Sequence, residues 1–470
     1  MEIIHVAAEC YPVAKVGGLA DVVGALPKYL NKMGHIAKVV MPAYRNKFVR
    51  EHEWETTHEG NFQMGVSYYY RIQREKTNLL GFDLYIVEIP GLLEEENPYG
   101  YWNDTHRHLG FQIAVVDWMN AWQHRPDVVH CHDHHTGLIP FMMNYCYHYN
   151  NLQNVPAVFT IHNGQYQGWI GRDLEYLIPH FDDWKRGLLL WKDTINSMAS
   201  AVKCCWKLTT VSQNYLYELR NNSLGLEPLF ASEGHKSVGI VNGIDADVWN
   251  PETDRWIDFN YNSKTVLDGK ESNKKGLCET FQLRDDKPLF VFIGRLVADK
   301  GADLLAESIY NSVKEQNGNV NFLVLGSGSN EYEDSLNDLK NFVPENFNCY
   351  IGFNERLAHL IYAGADFLMM PSRVEPCGLN QLYALRYGTI PMVRSTGGLI
   401  DTVSDFGNYE GFGIRFDQAS VWDINYSVGR AVGLHHDKEK INEIKKRIMT
   451  FDHSWDHAAR EYLSVYSSLR

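Results

Sequence analysis

The chain has 470 residues, a formal net charge of −14, a hydrophobic fraction of 44% and a charged fraction of 22%. This length predicts two domains, because one hydrophobic core rarely serves more than about 250–300 residues. The negative charge argues against a nucleic-acid partner, since such proteins concentrate cations to displace counterions from phosphates, and no apolar run reaches the roughly 18 residues of a membrane span.

The beginning of the chain and its cysteines predict a cytoplasmic location. Residue 1 leads directly into a strand-like pattern, with neither the basic region nor the cleavable apolar segment of an export signal. The eight cysteines lack the spacing of a disulfide framework or a zinc site, as is usual in a reducing compartment.

Apolar runs typical of strands alternate with amphipathic helical stretches, which predicts an α/β fold. In the first half the predicted strands cover residues 3–7, 37–41, 84–89, 128–130, 157–161 and 208–211. In the second half they cover residues 289–293, 322–325, 349–351, 367–370 and 390–393. Helices are predicted between them, the first over residues 19–33 with Gly34 ending it and the last over residues 452–470.

A turn-rich stretch at residues 241–245 separates the two series of strands. We therefore expect an N-terminal domain over residues 1–245, a C-terminal domain over residues 246–450 and a terminal helix over residues 451–470. Each domain is predicted to be a doubly wound, Rossmann-like sheet. Such sheets bind ligands at the carboxyl ends of their strands, so a ligand cleft is expected where the two domains face each other.

A glycine-rich loop between the first predicted strand and the first predicted helix indicates an anion site. It contains Lys15, Gly17 and Gly18. Glycines let the backbone approach a ligand closely, a helix N-terminus presents N–H groups, and the lysine adds a positive charge.

Several sequence blocks together resemble one family of enzymes. They are KVGGLAD at residues 15–21, DVVHCHD at 127–133, FTIHN at 159–163, TTVS at 209–212, VNGID at 241–245, GRLVADKG at 294–301, EPCGLNQLY at 375–383 and TGG at 396–398. Their order and spacing resemble those of bacterial glycogen synthases and plant starch synthases across about residues 1 to 405. The resemblance implies a GT-B fold, in which two Rossmann-like domains face across a cleft and a C-terminal helix crosses back to the N-terminal domain.

The resemblance also implies an activity, the retaining transfer of glucose from ADP-glucose or UDP-glucose to the non-reducing end of an α-1,4-glucan such as glycogen. Bacterial relatives favour ADP-glucose, but these residues leave the base of the donor open. A nucleotide sugar and an α-glucan are the expected partners, with no nucleic acid and no membrane. No cofactor or metal is expected, because fixed cations can stabilise the leaving diphosphate.

Individual residues receive roles from the same resemblance. The implied catalytic residues are Lys15, His162, Arg295, Lys300 and Glu375. The implied substrate-binding residues are Gly17, Gly18, Asp21, Asp133, Asn163, Asn242, Cys377, Gly378, Leu379, Thr396, Gly397 and Gly398. Arg295 and Lys300 would stabilise the negative charge that grows on the diphosphate, and Glu375 would favour positive charge at the anomeric carbon.

Two positions distinguish this chain among related transferases. Tyr383 stands where many of them carry a second glutamate, which matches the synthase branch and removes the partner for a two-carboxylate mechanism. His134 stands where many relatives have tryptophan, so acceptor contacts there are expected to differ. It belongs to a histidine-rich segment, residues 130–135. A metal is not expected in this segment, because side chains alternate between the faces of a strand and no distant Cys/His pair completes a tetrahedral set.

Other functions compete with this interpretation. A nucleotide-sugar epimerase or a sucrose-type synthase would share the architecture, and only the resemblance of residues 15–19 separates them. A nicotinamide dehydrogenase is excluded because the first strand lacks Gly-x-Gly-x-x-Gly, and a phosphorylase would need a much longer chain. A glucan-binding protein without activity is disfavoured, since Lys15, Arg295, Lys300 and Glu375 are all present.

Overall fold

The computed structural model describes residues 1–469, which form two compact units. Unit 1 comprises Met1–Ile240 and the C-terminal segment from Trp455, and unit 2 comprises Val241–Ser454. The divisions predicted from the sequence lie after residues 245 and 450. The stretch that begins at residue 241 is bonded within unit 2, where the Asp254 carboxylate hydrogen-bonds to His359 and Tyr387.

Unit 1 alternates strands and helices along the chain. Its strands are β1 (Glu2–Val6), β2 (Ile36–Pro42), β3 (Trp54–Met64), β4 (Val66–Glu75), β5 (Asp83–Glu88), β6 (Val128–His132), β7 (Ala157–Ile161), β8 (Trp169–Ile170), β9 (Leu190–Trp191), β10 (Thr194–Asn196), β11 (Lys207–Thr210) and β12 (Ser237–Gly239). Its helices up to Ile240 are α1 (Gly18–Lys32), α2 (Lys47–Glu51), α3 (Asp104–Asn120), α4 (Ile139–Tyr145), α5 (Ser197–Cys204), α6 (Gln213–Asn221) and α7 (Glu227–Ser232).

The large sheet of unit 1 has the order β12-β11-β7-β6-β1-β2-β5-β4-β3. The seven strands from β12 to β5 pair in parallel, which confirms the predicted doubly wound core. The antiparallel hairpin β3–β4 at one edge was not predicted. Because its outer residues are largely polar and exposed, its sequence lacks the apolar run that marks the buried strands. Short strands β8, β9 and β10 form a separate small sheet.

Helix α1 confirms the predicted first helix. Its buried face consists of Leu19, Ala20, Val22, Val23, Leu26, Pro27, Tyr29 and Leu30. The helix continues through Pro27 and ends before Gly34, which adopts a left-handed φ of 85°. A left-handed glycine is the usual way to stop an α-helix because it carries no Cβ to clash with the preceding turn.

Unit 2 is a second parallel sheet covered by helices. Its strands are β13 (Leu289–Leu296), β14 (Asn321–Gly328), β15 (Phe347–Ile351), β16 (Phe367–Met370), β17 (Ile390–Arg394) and β18 (Ile414–Phe416). Its helices are α8 (Val266–Thr280), α9 (Ala302–Glu315), α10 (Asn330–Phe342), α11 (Glu355–Gly364), α12 (Asn380–Arg386), α13 (Gly397–Thr402), α14 (Val421–His436) and α15 (Lys438–Ile448). The strand order is β15-β14-β13-β16-β17-β18, and every pair is parallel.

A buried carboxylate joins the two central strands of this sheet at their amino ends. Asp366, just before β16, accepts a hydrogen bond from the backbone N–H of Leu289 in β13. It also pairs with Lys274 at 2.7 Å and with Lys445 at 2.8 Å. Burial opposes ionisation, but Lys445 and Lys274 hold the pKa of Asp366 well below its ordinary value. The pairing fixes how β13 and β16 lie side by side, and hence where their carboxyl ends emerge.

The C-terminal segment forms helix α16 (Trp455–Ser467), which packs on α1 within unit 1. The buried residues of this helix are Trp455, Ala458, Ala459, Tyr462 and Tyr466. The Tyr466 hydroxyl lies 2.7 Å from Nδ1 of His130 in β6. The chain therefore returns to its first unit, as the resemblance implied. Within residues 1–469, no helix has the combination of length and apolar character needed to cross a membrane.

Replacing Tyr466 by phenylalanine tests the role of this helix in stability. The change removes the partner of a fully buried imidazole nitrogen, so the free energy of unfolding should fall by about 1–3 kcal/mol. Urea titration followed by circular dichroism measures the shift. Tyr217→Phe is the control, since Tyr217 is 63% exposed in the same unit. Equal midpoints for the two variants would contradict a stabilising role for the His130 contact.

Candidate functional site

In unit 2 a cavity of about 200 Å³ opens at the carboxyl ends of β13 and β16. It is lined by Phe292, Ile293, Gly294, Arg295, Lys300, Met370, Ser372, Glu375, Leu379 and Asn380. The cavity brings together four residues with implied roles, namely Arg295, Lys300, Glu375 and Leu379. The carboxyl end of a parallel sheet is the expected position for such a site.

An ion pair between Lys300 and Glu375 lies in the wall of this cavity. The Lys300 ammonium is 2.5 Å from Glu375 Oε2, and the Ser372 hydroxyl donates to the same oxygen at 3.1 Å. Glu375 is 8% exposed, so both donors act on a nearly buried carboxylate. The pair orients Glu375, while Lys300 remains partly open to the cavity.

The segment that carries Glu375 is held by contacts with neighbouring loops. The guanidinium of Arg373 binds both carboxylate oxygens of Asp303 at 2.6 and 2.8 Å. Arg394, at the end of β17, donates to the backbone carbonyls of Ser372 and Arg373. These contacts position the carboxylate without touching the cavity themselves.

Arg295 contributes a second cation at the end of β13. Its side chain is exposed and makes no ion pair within residues 1–469. Gly301 separates Lys300 from helix α9 in a left-handed conformation with φ of 75°. A Cβ there would lie 2.4 Å from the Pro371 carbonyl oxygen, so only glycine fits. The chain thus turns sharply enough to present both cations at one edge of the sheet.

The glycines before α13 pack against the Glu375 segment. The Gly398 N–H donates to the carbonyls of Glu375 and Pro376, each at 3.1 Å. Gly397 has a φ of 46°, and a Cβ on it would lie 2.0 Å from the Glu375 carbonyl oxygen. The Gly398 donor is thus used within the protein, where this turn supports the loop of Glu375.

The remaining implied residues of unit 2 lie around the same loop. The backbone of Asn242 hydrogen-bonds to the Cys377 thiol, whose pKa burial raises to about 12. Gly378 adopts a left-handed φ of 76°, and Gln381 donates to its carbonyl. Asn242 is nearly buried and its Oδ1 lacks a hydrogen-bond partner within residues 1–469. This oxygen is consequently free to accept a hydrogen bond from a ligand.

In unit 1 the glycine-rich loop is tied to a buried glutamate. Glu9, which follows β1, accepts hydrogen bonds from the backbone N–H groups of Val16 and Gly17 at 2.5 and 3.0 Å. The expectation that the loop offers free N–H groups to an anion is therefore wrong for Gly17, because a carboxylate already occupies that donor. Lys15 is likewise paired, with Asp21 at 2.6 Å. A Cβ on Gly17 or Gly18 would meet no atom within 4 Å, so their outer side is open.

Asp133 connects the ends of β6 and β7. Its Oδ1 accepts from the backbone N–H of His162 at 2.7 Å and from that of Asn163 at 3.5 Å. Burial raises the pKa of Asp133 to about 7, against the opposing effect of these hydrogen bonds. Its φ of 58° is unusual for a residue other than glycine. The three residues with implied roles thus form one connected group, as their shared sheet edge predicts.

His162 also belongs to a row of buried imidazoles. Its Nε2 lies 3.0 Å from Nδ1 of His132, whose Nε2 lies 3.1 Å from Nδ1 of His5 in β1. Burial lowers the pKa of His162 and of His5 to about 3, so these rings are neutral at pH 7. In each hydrogen bond of the row, one nitrogen must therefore carry the proton and the nitrogen of the neighbouring ring must accept it. This requirement fixes the orientation of His162.

The histidine-rich segment has neighbours that the sequence analysis did not foresee. His130 and His132 lie on one face of β6 together with His5 from β1, and His134 and His135 approach His108 from α3. One distant histidine, His5 or His108, thus joins each part of this segment, whereas the spacing had been searched only for a distant Cys/His pair. Contacts between strands and helices far apart in sequence are set by topology, which local spacing does not reveal.

Four residues of the site carried signals too weak to recognise in the sequence. Glu9 comes shortly after the apolar strand β1, and its position beyond a strand end was the available signal. Ser372 similarly follows β16, and Arg394 ends β17. Asn380, which donates to the Ile293 carbonyl at 2.6 Å, starts helix α12 and had no distinguishing pattern.

Two family models match the chain, one in each unit. Residues 2–232 match the starch synthase catalytic domain, and residues 278–426 match glycosyl transferases group 1. The structure is similar to the catalytic domain of starch synthase IV from Arabidopsis thaliana bound to ADP and acarbose, with a TM-score of 0.87, 30% identity and coverage of 100% of this chain and 99% of that one. It shares its fold with a sucrose-phosphate synthase from Thermosynechococcus elongatus, with a TM-score of 0.63, 13% identity and coverage of 99% and 98%.

Sequence relatives cover the chain from end to end. A glycogen synthase from Flavobacterium johnsoniae is 52% identical over 468 residues, which is 99% of each chain. A glycogen synthase from Streptococcus gordonii is 36% identical over 482 aligned positions, which cover both chains completely. With this identity over the whole length, and with the starch synthase domain matched in unit 1, the chain belongs to the glycogen synthase and starch synthase family of glycosyltransferases.

Proposed function

We propose that the protein transfers glucose from ADP-glucose to the non-reducing 4-hydroxyl of an α-1,4-glucan, with retention of configuration. The observation that carries this proposal is the Lys300–Glu375 pair in the wall of the unit 2 cavity, with Arg295 beside it. A carboxylate and two cations around one cavity suit a substrate whose sugar becomes positive while its diphosphate becomes negative.

The charge distribution supports a donor bound at this cavity. Arg295 and Lys300 stabilise the diphosphate as the bond between the anomeric carbon and the phosphate oxygen breaks. Glu375 faces the sugar and stabilises its oxocarbenium character. The glucan hydroxyl attacks the face from which the diphosphate leaves, and its proton passes to the departing phosphate oxygen. Asn242, Cys377, Leu379 and Thr396 line or support this donor site.

The residues of unit 1 are proposed to bind substrate. Lys15 and Asp21 form an exchangeable ion pair at the edge of the glycine loop, where Lys15 is 47% exposed and available to an anion. The His162–Asn163 backbone is held by Asp133, so these side chains present a fixed surface to the sugar. A neutral His162 can position a sugar hydroxyl but does not act as a cation, because burial lowers its pKa to about 3.

ADP-glucose is the preferred donor in this proposal. The starch synthase that the structure resembles binds ADP, and bacterial relatives of this chain are glycogen synthases. A soluble or branched α-glucan serves as the acceptor. The reaction needs no metal, since Arg295 and Lys300 provide the positive charge that a divalent cation would otherwise supply.

Release of nucleotide from ADP-glucose and from UDP-glucose, each with and without glycogen, tests this function. We expect ADP release that depends on glycogen, a lower kcat/KM for UDP-glucose, and a loss of about 100-fold or more in kcat for Glu375→Gln, which removes the charge facing the sugar. Glu307→Gln, an exposed change on α9, is the control. Release independent of glycogen, or full activity of Glu375→Gln, would contradict the proposal.

Replacing Arg295 by methionine tests the cation at the diphosphate. Because Arg295 is exposed and unpaired within residues 1–469, the change should leave the melting temperature unchanged. The kcat/KM for ADP-glucose should fall by about 100-fold, since one stabilising charge is lost from the transition state. Arg356→Met, which removes an exposed arginine of the same unit, should keep normal kinetics. Normal kinetics of Arg295→Met would remove this residue from the site.

Chelation tests whether transfer depends on a metal. Protein treated with EDTA and assayed in metal-free buffer should keep its rate with ADP-glucose and glycogen within about twofold, because the fixed cations stabilise the leaving group. The same protein with added Mg²⁺ provides the comparison. A rate that collapses with EDTA and returns with Mg²⁺ would show that the leaving diphosphate needs a bound ion.

A further inference from the structure

We propose that His108, His134 and His135 of unit 1 form a binding site for one divalent metal ion of the zinc class. His108 lies on α3, and the other two residues lie in the turn after β6. One ring nitrogen of each residue lies within 4.8 Å of one nitrogen of each of the other two. Three imidazoles that converge in this way can supply three ligands to a single ion.

The hydrogen bonding of these rings points to a partner that is not protein. His108 Nε2, His134 Nδ1 and His135 Nδ1 are all buried, and none has a hydrogen-bond partner within residues 1–469. A single buried nitrogen without a partner is already unfavourable. Three of them in one cluster indicate a ligand that all three nitrogens share.

Two of the rings are also oriented as metal ligands usually are. The backbone of Pro98 hydrogen-bonds to His108, and the backbone of Tyr166 hydrogen-bonds to His134. Histidines that bind metals commonly donate their second nitrogen to a backbone carbonyl, which fixes the tautomer and leaves the first nitrogen as a lone pair. His135 is held by stacking on Tyr99, with ring centroids 4.6 Å apart.

The neighbouring cluster of His5, His130 and His132 serves as an internal comparison. Its nitrogens also lie within 4.8 Å of one another. However, His130 uses both nitrogens in hydrogen bonds, one of them to Tyr466, and His132 uses both for His5 and His162. Protein groups therefore satisfy His130 and His132, and in this cluster only His5 Nε2 is left without a partner within residues 1–469. The three unpartnered nitrogens select the His108 cluster as the metal site.

The chemistry of the ligands defines the class of metal. Neutral imidazoles favour Zn²⁺, Ni²⁺, Co²⁺ and Cu²⁺ over Mg²⁺ or Ca²⁺, which prefer oxygen. Zn–N bonds of about 2.0–2.1 Å in a tetrahedron place ligand nitrogens roughly 3.4 Å apart. Small rotations of the three side chains would close the cluster to that spacing and leave a fourth position for water.

The site would have a structural role that is separate from glucose transfer. Tyr99, which stacks on His135, also donates its hydroxyl to Glu9 at 2.7 Å. Glu9 in turn holds the N–H groups of Val16 and Gly17. A bound ion would therefore stiffen the contact between α3, the turn after β6 and the glycine loop. The transfer step itself does not use the ion.

Zinc binding to the full-length protein tests the proposal. Protein stripped with EDTA and freed of chelator is titrated with ZnSO₄, bound zinc is counted by mass spectrometry after gel filtration, and the melting temperature is recorded. We expect one zinc per chain and a melting temperature that rises with zinc concentration. His108→Gln should bind zinc at least about tenfold more weakly and lose the rise. His106→Gln, on another side of the same helix, is the control and should behave like the unaltered protein.

Zinc binding by the variants shows whether the ion binds at this cluster or at other histidines or cysteines. Equal zinc affinity of His108→Gln and the unaltered protein would overturn the proposal, and so would the absence of retained zinc in the unaltered protein. The metal-free melting temperature of His108→Gln verifies its folding. His134→Gln, which removes a second ligand at a partly exposed position, provides the same test if His108→Gln does not fold.

Discussion

In a parallel sheet, all strands end at the same edge, and this constraint decides where chemistry can occur in both units. In unit 1 the ends of β1, β6 and β7 bring Glu9, Asp133 and His162 to one edge. In unit 2 the ends of β13 and β16 bring together Arg295 and Glu375. Residues far apart in sequence therefore meet because their strands are neighbours, and the hydrogen-bonded register of the strands sets the spacing between them.

Several charged residues near these edges form ion pairs. Lys300 neutralises Glu375, Lys15 neutralises Asp21, and Arg373 neutralises Asp303. Pairs that are partly exposed can exchange a protein partner for a substrate group at little electrostatic cost, because water screens the separated charges. The fully buried Asp366, in contrast, is held by two lysines and serves only to fix strands. Exposure thus distinguishes Lys15 and Lys300, which can meet a ligand, from Lys274 and Lys445, which hold the fold.

Buried imidazoles form the other polar feature of the protein. In the row from His5 through His132 to His162 the rings hydrogen-bond to one another, and only the end nitrogens His5 Nε2 and His162 Nδ1 lack a partner within residues 1–469. The cluster around His108 is not satisfied in this way, although its rings are as closely packed. Burial favours neutral rings in both places. The difference between them lies in the side-chain partners that the neighbouring residues provide.

Much of the fold and part of the site followed from the sequence alone. Alternating apolar runs predicted the buried parallel strands and helix α1, because backbone geometry fixes the periodicity of a buried element. Sequence blocks at strand ends identified Arg295, Lys300 and Glu375 and indicated the family. The polar hairpin β3–β4 escaped prediction because little of it is buried.

Only the tertiary structure decided which groups meet. Glu9 takes the N–H of Gly17, Gly398 supports the loop of Glu375, and His108 joins the turn after β6. The first contact depends on how the loop between β1 and α1 folds. The other two join residues far apart in sequence that strand order and helix packing bring together. The sequence determined the elements, the family and the charged residues at the strand ends. The tertiary structure determined their partners, since a hydrogen bond or an ion pair depends on distances that only the folded chain sets.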